Sequence, residues 1–183
     1  MEINKKNNKR KNTFLSFKIG NEIFAVTVHK VLEVLQKQHI TVIPNAPEYI
    51  KGVFNFRGNI IPAIETRLKF GLPERDVNEK YVIIVFDVQL AEKRMVVGAV
   101  ADSVRDVISF EESQIQAVPE LGISYNTEFL RGMLKSGDGF TMILDIDKVF
   151  SQAEINILKE TGMKAGKLEE KSDGETDKNQ EDL

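Results

Sequence analysis

The sequence predicts an all-β protein, and three observations carry that prediction. Short segments rich in Val, Ile and Phe recur, with turn residues separating them roughly every eight to twelve residues. Helical signals are few and short. The 183 residues, 42% of them hydrophobic, suffice for one sizeable core or two small ones. Two small barrels suit this length better than one large one, though periodicity alone does not separate the two.

The elements follow in order. "NTFLSFKI", then Gly20-Asn21, then "EIFAVTV" reads as a hairpin, because Gly-Asn is a favoured two-residue turn. In "VTVHKVLEVL", Val28, Val31, Leu32 and Leu35 fall at helical spacing and predict one short helix. The β-branched content makes a strand its competitor. "HITVI" reads as a strand ending at Pro44, and "GVFNF" and "NIIPAIE" flank Arg57-Gly58. Pro62 has no amide to give a ladder, which predicts an edge or a bulge there. "TRLKFG" suits a single helical turn closed by Gly71. "YVIIVFDV" is apolar without alternation and should be covered on both faces. In "RMVVGAVADSVRDVISF", Gly98 marks a bulge or a close approach. "EFLRGMLK", Ser-Gly-Asp-Gly and "FTMILDI" form the last hairpin. Ser151 and Glu154 make a capping box, with Phe150 and Ile155 at the staple positions and Gly162 at the stop, so a C-terminal helix is expected.

Charge is uneven along the chain. Residues 1–12 carry five Lys/Arg against one acid, and residues 162–183 carry four Lys against seven acids. Out of a total of −3, that leaves −4 for the stretch between them. Both ends read as solvated tails, though the basic arm is also open to contact with nucleic acid or an anionic membrane surface. The chain has no cysteine, so disulfides, thiol nucleophiles and cysteine metal sites are excluded. No apolar run approaches the ~20 residues of a membrane span, and no signal-peptide segment follows the basic start. A soluble intracellular protein is the expectation.

Signatures of chemistry are scarce. His29 and His39 are the only histidines, too few for a His-rich metal cluster. No Walker-type loop, G-x-S-x-G elbow or H-E-x-x-H motif occurs. "SGDGF", residues 136–140, sits between strands with no helix after it, which fits a hairpin turn better than a phosphate cradle. Asp145 and Asp147 would share one strand face as an acid/base pair or cation ligands, but their position where an apolar strand meets Lys148 favours an ordinary strand exit. Aromatics and cations do not interleave along a strand as in oligonucleotide-binding barrels, since Phe14, Phe17 and Phe24 alternate with apolar neighbours. Protein recognition remains for a rigid barrel of this kind.

The stretch "GVFNFRGNIIPAIETRLKFGL", residues 52–72, gives that class a place. Gly58 supplies the positive φ of a tight turn, and Arg57 then projects beyond the strands. A planar five-donor cation at a hairpin tip suits recognition. A charged turn guarding a sheet edge suits the residues as well. If residues 28–35 are helical, Glu33 lies off the apolar face near Lys30 and Lys37, where it either stays solvated or reaches Arg57 and fixes the tip.

Residues 13–161 resemble the CheW family of chemotaxis coupling proteins. The resemblance rests on "FLSFKIGNEIFAVTVHKVLEV", "APEYIKGVFNFRGNIIPAIETRLKFGL", "VADSVRDVISF" and "TEFLRGML". The second is the most specific, since the family reads as an Asn-Leu-Arg-Gly turn, a Pro-containing strand and an Arg-x-Lys-Phe-Gly-like exit. Phe56 replaces the usual Leu, and Glu65-Thr66 stands where Asp-Leu is usual. Both changes are mild for the fold and are expected to bear on partner choice.

The resemblance implies two intertwined five-stranded β-barrel subdomains in residues 13–161, between a basic arm (1–12) and an acidic tail (162–183). It implies an adaptor joining the cytoplasmic tip of a chemoreceptor (a methyl-accepting chemotaxis protein) to the regulatory domain of the histidine kinase CheA. Such an adaptor is cytoplasmic, held at the inner membrane through its receptor–kinase complexes, monomeric when isolated and assembled into receptor arrays. It uses no cofactor, metal or catalytic residue, binds no nucleic acid and inserts in no membrane. Receptor contacts are implied at or near Val31, Glu33, Gly52, Arg57, Val104 and Val107, with Asn55, Phe56 and Gly58 shaping the hairpin turn. Phe129, Leu130 and Gly132 of "EFLRGM" match a hallmark taken as structural. The competing expectations are a stand-alone copy of the kinase regulatory domain and an oligonucleotide-binding barrel using its basic arm.

Overall fold

The computed structural model describes residues 11–76, 78–90, 93–119, 128–137 and 139–150. The strands are β1 (Lys11–Ile19), β2 (Glu22–Thr27), β3 (Val31–Gln36), β4 (Ile50–Phe56), β5 (Asn59–Glu65), β6 (Val82–Leu90), β7 (Lys93–Ala101), β8 (Ser103–Glu111), β9 (Leu130–Ser136) and β10 (Gly139–Leu144). One α-helical turn, α1 (Thr66–Lys69), follows β5, and short 3-10 turns occupy Val28–Lys30, Glu112–Gln114 and Ile146–Lys148.

The strands form two five-stranded sheets with the orders β8-β1-β2-β10-β9 and β3-β6-β7-β5-β4. The second uses consecutive strands, whereas the first is assembled from the two ends of the described chain, so one unit is inserted in the other. Their pairings correspond strand for strand. Along each order the contacts are antiparallel, antiparallel, parallel and antiparallel.

Each sheet is closed on itself in the same way. In the second unit, Thr41 bridges Val53 on β4 through two backbone hydrogen bonds of 2.8 and 2.9 Å. In the first, Gln116 bridges Met133 on β9 through two of 2.8 Å. A glycine stands before each bridged residue. A Cβ on Gly52 would lie 2.2 Å from the Thr41 carbonyl oxygen, and one on Gly132 would lie 2.4 Å from Ile115 Cγ2. Closure of each unit therefore depends on a missing side chain.

The core has three parts. Phe54, Phe56, Ile61, Ile83 and Val85 fill the second unit, and Phe14, Ala25, Phe110 and Ile143 fill the first, with Phe14 and Phe110 stacked at 4.3 Å. The largest part lies between the units, where Leu15, Phe17, Phe24 and Val26 meet Ile64, Ile84, Phe86 and Val97. β6 lies between β3 and β7, and its residues Ile83 to Phe86 and Val88 are all buried, as its unbroken apolar run requires. Gly98 marks a close approach, because a Cβ there would meet the Phe54 ring at 2.5 Å.

Three expectations need correction. Residues 31–36 are a strand, and only Val28–Lys30 turn helically; pairing with β6 wins over a short apolar period in this β-branched segment. "HITVI" forms the single bridge at Thr41, since a closing segment needs only one crossing. Pro62 lies in an interior strand between β4 and β7, where the ladder with β7 begins one residue later at Ala63, so no partner is deprived of a donor on that side. The expected C-terminal helix after Phe150 lies outside the described residues.

Candidate protein-docking site

The β4–β5 hairpin ends in a two-residue turn, with Phe56 opposite Asn59 and Arg57 and Gly58 between them. Both turn residues have positive φ, 53° for Arg57 and 83° for Gly58, as a primed hairpin turn demands. Gly58 adopts this at no cost, whereas an arginine in the left-handed region costs about 1 kcal/mol. The Gly58 amide donates to the Asn55 side-chain oxygen at 2.9 Å, and the buried Phe56 anchors the turn in the second unit's core. The guanidinium of Arg57 lies 5.0 Å from the Phe56 ring centroid.

Arg57 Nη2 donates to Glu33 Oε2 at 2.7 Å, with the Arg57 side chain 70% exposed and that of Glu33 37% exposed. Of the two outcomes the sequence left open, Glu33 reaches Arg57, although it comes from a strand and not from a helix. Leu32 and Val34, on either side of Glu33, are exposed apolar residues, and so is Val28. The helical reading hid them, because it assigned Val28 and Leu32 to a buried face; the strand instead alternates, with Leu32, Val34 and Gln36 on its exposed side, a pattern that "VLEVLQ" does not show in its residue types.

The other candidate residues divide. Val31 and Val104 are half-buried and pack against the core between the units. Val104 and Val107 lie on β8 of the first unit, opposite Phe17 and Leu15, and Val107 is 63% exposed. Gly52 is buried, and its φ of 144° and its crowding by Thr41 make it a closure residue.

A charge network built around α1 and the end of β7 reaches the first unit through Asp102. Arg75 donates to both oxygens of Glu65, from Nε at 3.0 Å and from Nη2 at 2.9 Å, and both side chains are almost fully buried. Arg67 binds Asp102 through Nε at 3.1 Å and Nη2 at 2.9 Å and also pairs with Glu79 at 2.9 Å. Hydrogen bonding to Asp102 pushes the Arg67 pKa further up against the opposing effect of burial. Asp102 accepts from the Gly20 amide in the β1–β2 turn at 2.7 Å, which ties the network to the first unit. Thr66 donates to the Val100 carbonyl. The unusual pair Glu65-Thr66 therefore sits inside this network and not on a contact surface. Sequence reasoning missed the network, having weighed Glu65-Thr66 only for its bearing on partner choice.

Asp145 and Asp147 do not share a strand face, since the first precedes and the second belongs to the last 3-10 turn. Asp147 is held by Lys30 Nζ at 2.6 and 2.8 Å and by the Gln89 amide at 2.7 Å, while Asp145 pairs with Lys148. Among the described residues no group of three or more His, Asp or Glu is placed to hold a metal, and no helix is long and apolar enough to cross a membrane.

Comparison with known proteins agrees with this architecture. The CheW-like domain profile matches residues 13–154. The chain is 37% identical to the chemotaxis protein CheW of Klebsiella aerogenes over 145 residues, covering 79% of this chain and 85% of that protein. It is 32% identical to the chemotaxis protein CheW of Helicobacter pylori, covering 76% of this chain and 81% of that one. The crystal structure of the scaffolding protein TtCheW from Thermoanaerobacter tengcongensis superposes with a TM-score of 0.67 at 28% identity, covering 78% of this chain and 94% of that one.

Proposed function

The chain belongs to the CheW-like family and is a chemotaxis coupling adaptor, and on that premise we propose that it joins the cytoplasmic tip of a chemoreceptor to the regulatory domain of the histidine kinase CheA. It works without a cofactor or catalytic residue, in the cytoplasm at the inner membrane, as a monomer that enters receptor arrays. Its output is geometric: two partners held at a set spacing by a rigid body, so that a shift at one is felt at the other.

The observation that carries this reading is Arg57. An arginine occupies a left-handed turn position where Asn or Gly would be less strained, and Glu33 holds its exposed guanidinium. Strain retained at a solvent-facing tip is explained by a partner that uses the group. The receptor tip, a helical hairpin, lays an apolar stripe on the surface around Val31, Val104 and Val107, with Leu32 and Val34 beside it. Arg57 and Glu33 set its register, and Gly52 shapes the wall by permitting closure.

The test is a pull-down with a receptor fragment and the kinase. Arg57→Glu should keep the fold, lose receptor binding at least about tenfold, the equivalent of 1.4 kcal/mol, and weaken receptor-dependent kinase control. Full binding by this variant would refute the assignment.

A further inference from the structure

A depression of about 540 Å³ opens where residues 37–42 pass β4, lined by Lys37, His39, Ile40, Val42, Lys51 and Tyr81. Three cations surround the Tyr81 ring: Lys37 Nζ and Lys51 Nζ each lie 5.6 Å from its centroid, and the Arg75 guanidinium carbon lies 5.5 Å away. Arg75 is neutralised by Glu65, which it binds through Nε and Nη2, and by Asp102, 3.0 Å from its Nη1, while Lys51 Nζ lies 3.5 Å from Glu65, which it shares with Arg75. Lys37, which lines the depression with Lys51, has no carboxylate partner among the described residues. The site is short of negative charge. Its rim is apolar, since Val42 is 74% exposed beside Ile40.

We propose that this depression receives the chain's own acidic tail, residues 162–183, with Glu169 and Glu170 meeting Lys37 and Lys51 while Leu168 covers Val42. The tail carries seven acids against four Lys, and "LEE" sets one apolar residue beside two carboxylates, the combination that the rim and the cations accept. Reach is sufficient. Lys69 Nζ lies 4.8 Å from the Tyr49 ring and 5.7 Å from the Phe150 ring, so the last described residue sits next to Tyr49, two positions before Lys51. The twelve residues from 151 to 162 span about 18 Å even at the rise of a helix, and up to about 40 Å when extended. The tail thus shields a cationic surface until a partner with stronger anionic complementarity displaces it.

The absence of cysteine permits a single spin label on the full chain at Ser172→Cys. Expected is a loss of more than about half the amide peak intensity at Lys37–Val42 and Lys51 in low salt, recovering near ~0.5 M salt, where screening shortens to about 4 Å. The loss should be independent of dilution and should disappear in Lys37→Glu, an exposed site whose variant keeps the remaining spectrum. Broadening centred on residues 1–12, no broadening at 37–42, equal broadening in Lys37→Glu, or broadening only between labelled and unlabelled molecules overturns the proposal.

Discussion

The Glu33 carboxylate and the Arg57 guanidinium, 2.7 Å apart, tie the first strand in the order of the second sheet to the hairpin carrying its last strand. The contact exists because the sheet has curled until its edges meet, so the pair also reports on closure. Exposed as it is, it contributes at most about 1 kcal/mol to stability. Its effect should therefore appear in binding. Glu33→Arg and Arg57→Glu should each weaken receptor binding, and the double variant should recover part of the loss in a pull-down titration. Defects that simply add would show that the two residues act separately.

Arg57→Asn separates recognition from folding. Asn followed by Gly58 is the favoured pair for this turn, so relief of backbone strain offsets the lost ion pair. Unfolding midpoints in urea should give a stability within about 1 kcal/mol of the parent or slightly above it. Receptor binding should nonetheless fall as it does for Arg57→Glu. A variant that binds normally would mean that turn shape, and not the guanidinium, is what the partner reads.

What was legible in the sequence is what depends on neighbours in the chain. The hairpins at Gly20-Asn21 and Arg57-Gly58 follow from turn chemistry, and burial of β6 follows from its unbroken apolar run. The pairing of Glu33 with Arg57, one of two outcomes the sequence left open, forms in spite of a helix that does not, because their side chains reach each other from a strand as well. Glu65, Arg75, Arg67 and Asp102 stayed illegible for the opposite reason. A charged residue carries no local sign of burial, and it takes the parallel pairing of Glu65 with Val100, between β5 and β7, to bring Asp102 beside the helical turn and Arg75. Gly52 and Gly132 were likewise visible in recognised segments, but their role as closure residues needs the segments at Thr41 and Gln116 folded against them.

Tyr81 gives the fold an alkaline limit. Burial pushes its pKa up from the ordinary 10, with Arg75 opposing and Glu65 assisting. The folded state thus holds the phenolic proton more tightly than the unfolded chain does. The corresponding stability is complete below pH ~10 and is lost as pH rises through the higher folded value. Urea midpoints measured from pH 9 to 11 should fall more steeply for the parent than for Tyr81→Phe. Parallel curves would remove Tyr81 as the cause.

The two closure glycines predict matched defects in separate units. Gly52→Ala places a methyl against the Thr41 carbonyl oxygen in a backbone conformation that L residues rarely adopt, and Gly132→Ala places one against Ile115 and the Gln116 carbonyl. Each should cost about 3 kcal/mol or more. Gly58→Asn, at an open turn position, should cost about 1 kcal/mol or less. Hydrogen exchange should show Gly52→Ala opening the second sheet first and Gly132→Ala the first. Equal loosening of both sheets by either change would mean that the units do not close independently.

The buried network offers the sharpest test of how the units are held. Glu65→Gln leaves the Arg75 charge in a site that water does not reach, and breaking one side of a buried pair costs about 3–5 kcal/mol. Removing both charges is a different matter, because Glu65→Leu with Arg75→Met trades the desolvation of two ions for apolar contact and should recover most of that loss. The double variant should then be folded and near the parent in stability. Receptor binding decides what the pair is for. Asp102, which Arg75 and Arg67 both approach, also holds the Gly20 turn, so freeing it from Arg75 should loosen the first unit against the second. Reduced receptor-dependent kinase control at parental stability would show that the network sets the spacing between units. Unchanged control would show that the shared apolar core holds the two units in place unaided.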